Sequence, residues 1–224
     1  MEKKLKVAIV GANGVIGTVL QKGLTEFDIT PLGRDRVDSR SYNDLVAALK
    51  GQDSVIYLAR NPNKDRIRET FRTGEYDPDN SLMTFNIYKA AMEAKVKRVI
   101  MASSVHADNF YTFQGSEKVS VERMPTPDSP YGANKLFMEF LGKYFSTKGL
   151  EVICIRFGGI NQNNSQPDES TEQAVWLTHE DCIAMMKACL QAKYVPDNFS
   201  VFYAVSNNRH AIHDIRNPFG WKPI

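Results

Sequence analysis

The sequence predicts an α/β fold, a doubly wound parallel sheet with helices on both faces. Short β-branched runs alternate with helical patterns through residues 1–150, which is typical of such a sheet. The runs are almost continuously apolar, as in VAIV at residues 7–10, and strands buried on both faces have this composition. A glycine-rich turn follows this first run and opens a helical pattern. These three observations together predict the fold class.

The spacing of apolar residues gives each predicted element. The predicted strands are residues 6–10, 28–32, 54–58, 98–102, 151–156 and 199–205. The predicted helices are one that starts near Val15, followed by residues 41–49, 79–94, 131–144 and 179–192. The second helix opens with the capping-box-like sequence Ser41-Tyr-Asn-Asp44. Residues 158–171 are polar and have no periodicity, so they predict a surface loop near a site.

No linker interrupts this pattern, and we expect a single domain over residues 1–224. Within it, residues 157–224 are expected to form most of a small C-terminal, substrate-binding elaboration. Hydrophobic residues make up 42% of the chain and charged residues 24%, the balance of an ordinary globular protein. The 28 Lys and Arg against 26 Asp and Glu leave a net charge of +2, which favours neither nucleic acid nor a membrane surface as partner.

Other function classes are also disfavoured by the sequence. No apolar run approaches the roughly 20 residues of a membrane-spanning helix. The three cysteines lack CxxC spacing and predict neither a disulfide framework nor a metal site. We therefore expect a cytoplasmic protein that acts on a small molecule and binds no metal.

The glycine-rich turn at residues 11–17 is the strongest local indication of function. Gly11 permits a tight turn, Gly14 permits close approach of a pyrophosphate, and Gly17 permits close packing of helix on strand. The following helix N-terminus offers unpaired N–H groups to the phosphates. An ordinary glycine-rich turn is the lesser alternative. The strand–turn–helix context predicts a Rossmann dinucleotide-binding domain.

Two further patterns suggest acid–base chemistry. Tyr131 and Lys135 lie four residues apart on one face of a predicted helix, where the cation would favour ionisation of the phenol. Alone, this spacing also fits a solvent-facing Tyr beside a Lys. Ser103 and Ser104 end a predicted strand, where open α/β sheets bind their ligands, although Ser-Ser is in isolation an ordinary strand end.

In chain order, these features resemble the extended, epimerase-like branch of the short-chain dehydrogenase/reductase superfamily. The matching residues are Gly11, Gly14, Gly17, Asp38, Leu58, Ala59, Asn80, Ser104, Tyr131 and Lys135. Within the branch, the chain resembles the uronate dehydrogenases. This likeness rests on the sequences ASSVH at residues 102–106, SPYG at 129–132, WLTHED at 176–181 and FYAVSNN at 202–208.

The resemblance implies a role for each matching residue. Tyr131 would be the acid/base, Lys135 would lower the pKa of Tyr131 and hold the nicotinamide ribose, and Ser104 would orient the substrate oxygen. The residues expected to bind the dinucleotide are Gly11, Asn13, Gly14, Val15, Ile16, Gly17, Arg34, Asp38, Ser39, Leu58, Ala59, Arg60, Asn80, Ala102, Tyr131, Lys135 and Phe157. The residues expected to contact the substrate are Ser104, His106, Tyr131 and Gly159. For His106, a packed or solvated side chain is an equal alternative.

The choice of cofactor depends on the end of the second strand. Arg34 follows Gly33 where NADP-using relatives place a phosphate-binding Arg, and a guanidinium suits a 2′-phosphate. The alternative is a solvated or adenine-stacking Arg34 in an NAD enzyme, with Asp35 taking the acidic role. The sequence favours NADP over NAD.

The predicted function is an NAD(P)-dependent oxidoreductase that acts on the hydroxyl or carbonyl carbon of a small sugar or sugar acid. One alternative is a sugar epimerase or dehydratase with a retained cofactor, and another is a dinucleotide-binding protein without activity. The resemblance also implies a homodimer through residues 79–94 and 131–144. Their apolar residues Leu82, Phe85, Ile87, Phe137, Met138, Phe140 and Leu141 exceed one sheet-facing stripe. A monomer whose helices only pack on the sheet is the alternative.

Overall fold

The computed structural model describes residues 4–61, 77–109 and 117–224 of the chain. The strands within these ranges are β1 (Lys6–Val10), β2 (Asp28–Leu32), β3 (Ser54–Tyr57), β4 (Arg98–Ser104), β5 (Glu151–Phe157) and β6 (Phe199–Ala204). The helices are α1 (Val15–Gly23), α2 (Tyr42–Leu49), α3 (Pro78–Glu93), α4 (Pro130–Ser146), α5 (Ser170–Ala174) and α6 (His179–Gln191).

The strands form one parallel sheet in the order β2-β1-β3-β4-β5-β6. Alternate residues of each strand enter two separate cores, one closed by α1 and α6 and the other by α2, α3 and α4. The predicted doubly wound sheet is confirmed. The chain order reverses between β1 and β3, and in open α/β sheets ligands bind beyond the carboxyl ends of the strands at such a point.

Helices α2, α3, α4 and α6 begin at side-chain caps, close to the predicted boundaries. The Ser41 hydroxyl accepts a hydrogen bond from the Asp44 amide at 3.3 Å, as its sequence context predicts. The Ser129 hydroxyl likewise accepts from the Gly132 amide at 3.1 Å and starts α4 at Pro130, one residue earlier than predicted.

Strand β4 extends two residues beyond its predicted end. The register pairs Ser103 with Arg156 and Ser104 with Phe157 of β5, so the ladder continues through both serines. This extension fixes the backbone at the point where the sequence predicts catalytic groups.

A buried ion pair closes the amino end of the same two strands. Arg98 Nη2 lies 2.6 Å from Glu151 Oε2 across the β4–β5 ladder. The same guanidinium donates to the carbonyls of Cys189, Leu190 and Ala192, which lie in the last turn of α6 and just beyond it. It therefore satisfies carbonyls that the end of the helix leaves without amide partners.

The C-terminal part of the chain adds β6 to the edge of the sheet and α6 to one face. The predicted loop over residues 158–171 has irregular structure up to Ser170, where the short helix α5 begins. A bridge between Gly159 and Trp176 ties its two ends together. Among the described residues, no helix has both the length and the apolarity that a bilayer crossing requires.

Candidate active site

The glycine-rich turn leaves no room for a Cβ at two of its three glycines. Gly11 has φ +86°, and a Cβ there would lie 2.7 Å from the Ala59 amide nitrogen. At Gly17, a Cβ would lie 2.5 Å from the Ala12 carbonyl oxygen. Gly14 caps α1 and has more room, since its nearest neighbour is the Gly11 carbonyl oxygen at 3.5 Å. The turn thus brings the start of α1 to the carboxyl edge of the sheet.

A first cavity of about 300 Å³ opens beside the carboxyl ends of β1, β2 and β3. Its lining includes Gly11, Asn13, Gly14, Arg34, Asp38, Ser39, Leu58, Ala59 and Arg60, all of which the sequence predicts as cofactor residues, together with Arg40, Asn61 and Met83. Hydrogen bonds from Arg40 lower the pKa of the Asp38 carboxyl. Asp35 accepts a hydrogen bond from the Asn13 amide at 3.3 Å and is not among the lining residues described.

A second cleft of about 550 Å³ begins on the other side of the glycine turn. Gly11, Gly14, Leu58 and Arg60 line both spaces, so the two compartments meet at the turn. The predicted residues in the second cleft are Val15, Ile16, Gly17, Ala102, Ser104, His106, Tyr131, Lys135, Phe157 and Gly159.

Tyr131 and Lys135 project from one face of α4 into this cleft, as predicted. Lys135 Nζ lies 5.4 Å from the centre of the Tyr131 ring and donates to the Ala102 carbonyl at 2.6 Å. Lys135 is buried, and this bond near the carboxyl end of β4 holds its ammonium group beside the phenol.

The two serines at the end of β4 have different surroundings. The Ser103 hydroxyl donates to Glu139 of α4 at 2.5 Å, within the protein. The Ser104 hydroxyl accepts from the His106 amide at 3.3 Å, and both serines are among the residues that line the cleft. This arrangement favours Ser104 as the residue that meets a substrate oxygen.

His106 is held by a residue that sequence reasoning missed. Its Nδ1 lies 2.7 Å from Asp128 Oδ2, and its ring meets the Tyr131 ring edge-on with centroids 5.9 Å apart. Gly132 permits this contact, because a Cβ there would lie 2.0 Å from the His106 carbonyl oxygen. Asp128 stands directly before the Ser129 cap, and its partner is 22 residues away in sequence.

Asn80 takes a supporting position beside the cleft. Its side-chain oxygen accepts from the Asn61 amide at 2.8 Å, and it lines a small polar recess with Arg60, Tyr131 and Lys135. The far wall of the cleft comes from the segment after β5. It contains Gly159, Ile160, Asn161, Pro167, Thr171, Glu172, Val175 and Trp176.

The described residues contain no group of three or more His, Cys, Asp or Glu side chains suited to a metal ion.

A model of the NAD dependent epimerase/dehydratase family matches residues 7–173. The chain belongs to this family. The family and the fold predicted from the sequence are therefore confirmed.

Several proteins that are similar to this chain are dehydrogenases of sugars or sugar acids. L-arabinose 1-dehydrogenase (NAD(P)(+)) from Haloferax volcanii is 31% identical over 91% of this chain and 89% of that protein. Uronate dehydrogenase from Pseudomonas putida is 27% identical over 95% of this chain and 80% of that protein. The crystal structure of uronate dehydrogenase from Agrobacterium tumefaciens has a TM-score of 0.80 at 21% identity, covering 99% of this chain and 85% of that one.

Proposed function

We propose that this family member is an NAD(P)-dependent dehydrogenase that acts on the hydroxyl or carbonyl carbon of a small sugar or sugar acid. The observation that carries the proposal is a two-compartment cavity with Ser104, Tyr131 and Lys135 in one compartment. The names of the relatives support a sugar or a sugar acid as the substrate class.

The chain's residues fit a dinucleotide. The two compartments meet at a turn where Gly11 has no room for a Cβ, so at this position the backbone itself faces the junction. The first turn of α1 presents amide groups there, which suit a pyrophosphate. The adenosine half would lie against Asp38 and Ser39, and the nicotinamide half against Ala102 and Phe157. The nicotinamide supplies hydride acceptance or donation when it is bound.

The chain itself supplies proton transfer and orientation. In oxidation, the ionised Tyr131 phenol would take the proton of the substrate hydroxyl, and in reduction the neutral phenol would give a proton to the substrate carbonyl oxygen. Lys135, held at Ala102, favours the ionised phenol and offers donors to ribose hydroxyls. Ser104 would hydrogen-bond the reacting oxygen, and His106, oriented by Asp128, would contact the substrate beside it.

We also propose that residues 157–224 supply the substrate side of the single domain. Gly159, Asn161, Thr171 and Glu172 line the same cleft as Tyr131 and His106, and they offer the neutral and acidic hydrogen-bonding groups that hydroxyls require. These groups favour a polyhydroxylated substrate small enough for this cleft.

A panel assay tests the proposed function. Aldoses such as L-arabinose, and uronates, would each be incubated with NAD or NADP while the absorbance of the reduced nicotinamide is followed. We expect steady reduction of the dinucleotide by at least one sugar of the panel. An epimerase would instead retain its cofactor and isomerise a sugar without net reduction. If the protein binds dinucleotide but changes no sugar in either assay, the proposal is wrong.

The proposed cofactor preference is for NADP. Arg34 lines the first cavity close to Asp38, whose charge is already paired with Arg40. A free carboxylate would repel a 2′-phosphate, so this pairing supports NADP, as does the exclusion of Asp35 from the described lining.

Replacement of Arg34 tests this preference. The unmutated protein is expected to bind NADPH about 10–150-fold more tightly than NADH, because a charge-assisted hydrogen bond contributes about 1.5–3 kcal/mol. Arg34→Ala should remove most of this difference and leave the Kd for NADH nearly unchanged, as measured by calorimetry. Arg36 is exposed and outside the described lining, so Arg36→Ala is the matched control and should keep the preference. Equal affinities in the unmutated protein would contradict the role of Arg34.

We further propose that two copies pair through α3 and α4. Ile87 and Met138 are buried in the core, but Leu82, Phe85, Phe137, Phe140 and Tyr144 are 40–65% exposed. The two helices pack side by side, joined by a hydrogen bond from Asn134 to Ser81, so these side chains form one apolar face. Burial of such a face against its copy is favourable.

Light scattering checks the dimer. The unmutated protein is expected to have twice the mass of one chain, and Phe140→Glu should give a monomer because it places a charge in the apolar contact. Tyr194 is 69% exposed and belongs to neither helix, so Tyr194→Glu should leave the mass unchanged. A monomeric unmutated protein at micromolar concentration would rule the dimer out.

A further inference from the structure

A buried polar network lies directly behind the proposed catalytic residues. Arg156 of β5 donates to both carboxylate oxygens of Glu139 of α4, from Nε at 2.9 Å and from Nη2 at 2.8 Å. Its Nη1 donates to the Tyr203 hydroxyl of β6 at 2.8 Å. The Ser103 hydroxyl completes the network through its bond to Glu139. All four residues are no more than 6% exposed.

This network continues the row of functional side chains along α4. Tyr131, Lys135 and Glu139 follow one another at intervals of four residues and so lie on one face of the helix. Lys135 is bonded to the Ala102 carbonyl and Glu139 to the Ser103 hydroxyl. Two side chains that lie one helical turn apart on α4 are thus bonded to two consecutive residues of β4, immediately before Ser104.

The same carboxylate also ties α4 to the next two strands. Ser103, Arg156 and Tyr203 lie side by side on β4, β5 and β6, because Ser103 pairs with Arg156 and Arg156 pairs with Tyr203. A bidentate Arg–carboxylate contact fixes both distance and angle. The bonds that converge on Glu139 therefore act together with the bond between Lys135 and Ala102 to fix the position of α4, which carries Tyr131, relative to β4, which carries Ser104.

We propose that Glu139, through Arg156 and Ser103, is a positioning residue that holds Ser104 and Tyr131 at reacting distance. The proposal rests on the proposed function, because it assumes that Tyr131 moves the proton. Loss of the Glu139 carboxylate would affect the transition state more than substrate binding, since a misplacement of the reacting groups by about 1 Å can lower a rate by about 10²-fold.

The chain contains a matched control for this role. Arg98 and Glu151 form an equally buried ion pair that joins β4 to β5 at their amino ends, whereas the Arg156–Glu139 pair joins β5 to α4. Arg98 precedes Ser103 by five residues on β4, which places the two pairs roughly 16 Å apart. Glu151→Gln therefore disrupts the same kind of buried Arg–carboxylate bond on β5, far from the cleft.

Steady-state kinetics on both variants test the proposal, with the best sugar from the panel. Glu139→Gln is expected to lower kcat by about 10–100-fold while KM and the Kd for the dinucleotide stay within about threefold. Glu151→Gln is expected to lower Tm but to keep kcat within about threefold. An unchanged kcat in Glu139→Gln, or equal losses of kcat in both variants, would overturn the proposal.

A second variant covers the case in which Glu139→Gln does not fold. The double replacement Glu139→Met/Arg156→Met leaves no unpaired buried charge, and such replacements are often tolerated. It should fold and still show the reduced kcat, because the bonds that converge on α4 are absent. A wild-type kcat in the double variant would overturn the positioning role. Loss of activity in Tyr131→Phe with full activity in Glu139→Gln would refute only this proposal, whereas an active Tyr131→Phe would refute the function on which it rests.

Discussion

Replacing Tyr131 by Phe is expected to lower kcat by about 10²–10⁴-fold, the usual contribution of a general acid or base. The substitution removes only the hydroxyl that would exchange the proton. The aromatic ring that contacts His106 and Lys135 remains, so the Kd for the dinucleotide should change by no more than a few-fold. Turnover of the sugar and calorimetric titration of the dinucleotide measure the two quantities separately.

Two other variants on the same helix make this result specific. Lys135→Ala should weaken dinucleotide binding as well as turnover, because Lys135 is assigned to both. Tyr144 is exposed near the end of α4, and Tyr144→Phe should keep the wild-type kcat. A Tyr131→Phe variant with a rate near that of the wild type would show that another group moves the proton.

Acid is expected to destabilise the protein through His213. This side chain is fully buried and packs against Tyr203, with ring centroids 4.5 Å apart. Burial, with a smaller contribution from the charge of Arg156, lowers the pKa of His213 to about 3. The imidazole in the unfolded chain has its ordinary pKa of about 6.5, so below that pH the unfolded state binds a proton that the native state refuses.

The sign and size of the effect follow from this difference in pKa. The contribution of His213 to the free energy of unfolding is complete above pH 6.5 and is lost progressively as the pH falls toward 3. Between pH 7 and pH 4.5 the loss is roughly 3 kcal/mol. His213→Phe should lessen the dependence of unfolding free energy on pH by this amount in urea titrations.

His210 provides the control for this prediction. It is exposed and lies three residues before His213, so His210→Phe should keep the wild-type pH dependence. If His213→Phe and the wild type lose stability in parallel between pH 7 and pH 4.5, burial of His213 is not the source of acid sensitivity.

The parts of the fold and site that the sequence predicts are those with local physical causes. The glycine turn is predictable because Gly11 and Gly17 are needed where the backbone itself closes the space. Strand and helix positions follow from apolar periodicity and from caps such as Ser41. The assignment of Ser104 rather than Ser103 to the substrate oxygen rests on the family resemblance, and the bond between Ser103 and Glu139 gives a structural reason for it.

The missed residues depend on contacts between distant parts of the chain. Asp128 has meaning only beside His106, and Glu139 only beside Arg156 on another strand. A Glu within a helix is ordinary in sequence, and nothing local shows that its carboxylate is buried. The extension of β4 through Ser104 depends in the same way on pairing with β5.

The far wall of the cleft has a consequence for how new specificities arise. Ser104 lies on β4, and Tyr131 and Lys135 lie on α4. The far wall of the cleft is instead joined to β6 and the residues just after it by a few backbone hydrogen bonds. One runs from the Gly158 amide to the Ala204 carbonyl, and another from the Ser206 amide to the Trp176 carbonyl. These bonds do not involve side chains, so the exposed residues of the wall between Gly159 and Val175 are open to replacement, whereas a Cβ at Gly158 would lie 1.9 Å from the Val175 carbonyl oxygen. Evolution or protein engineering can therefore replace these wall residues and change which sugar binds, while the residues assigned to proton transfer, on β4 and α4, stay the same.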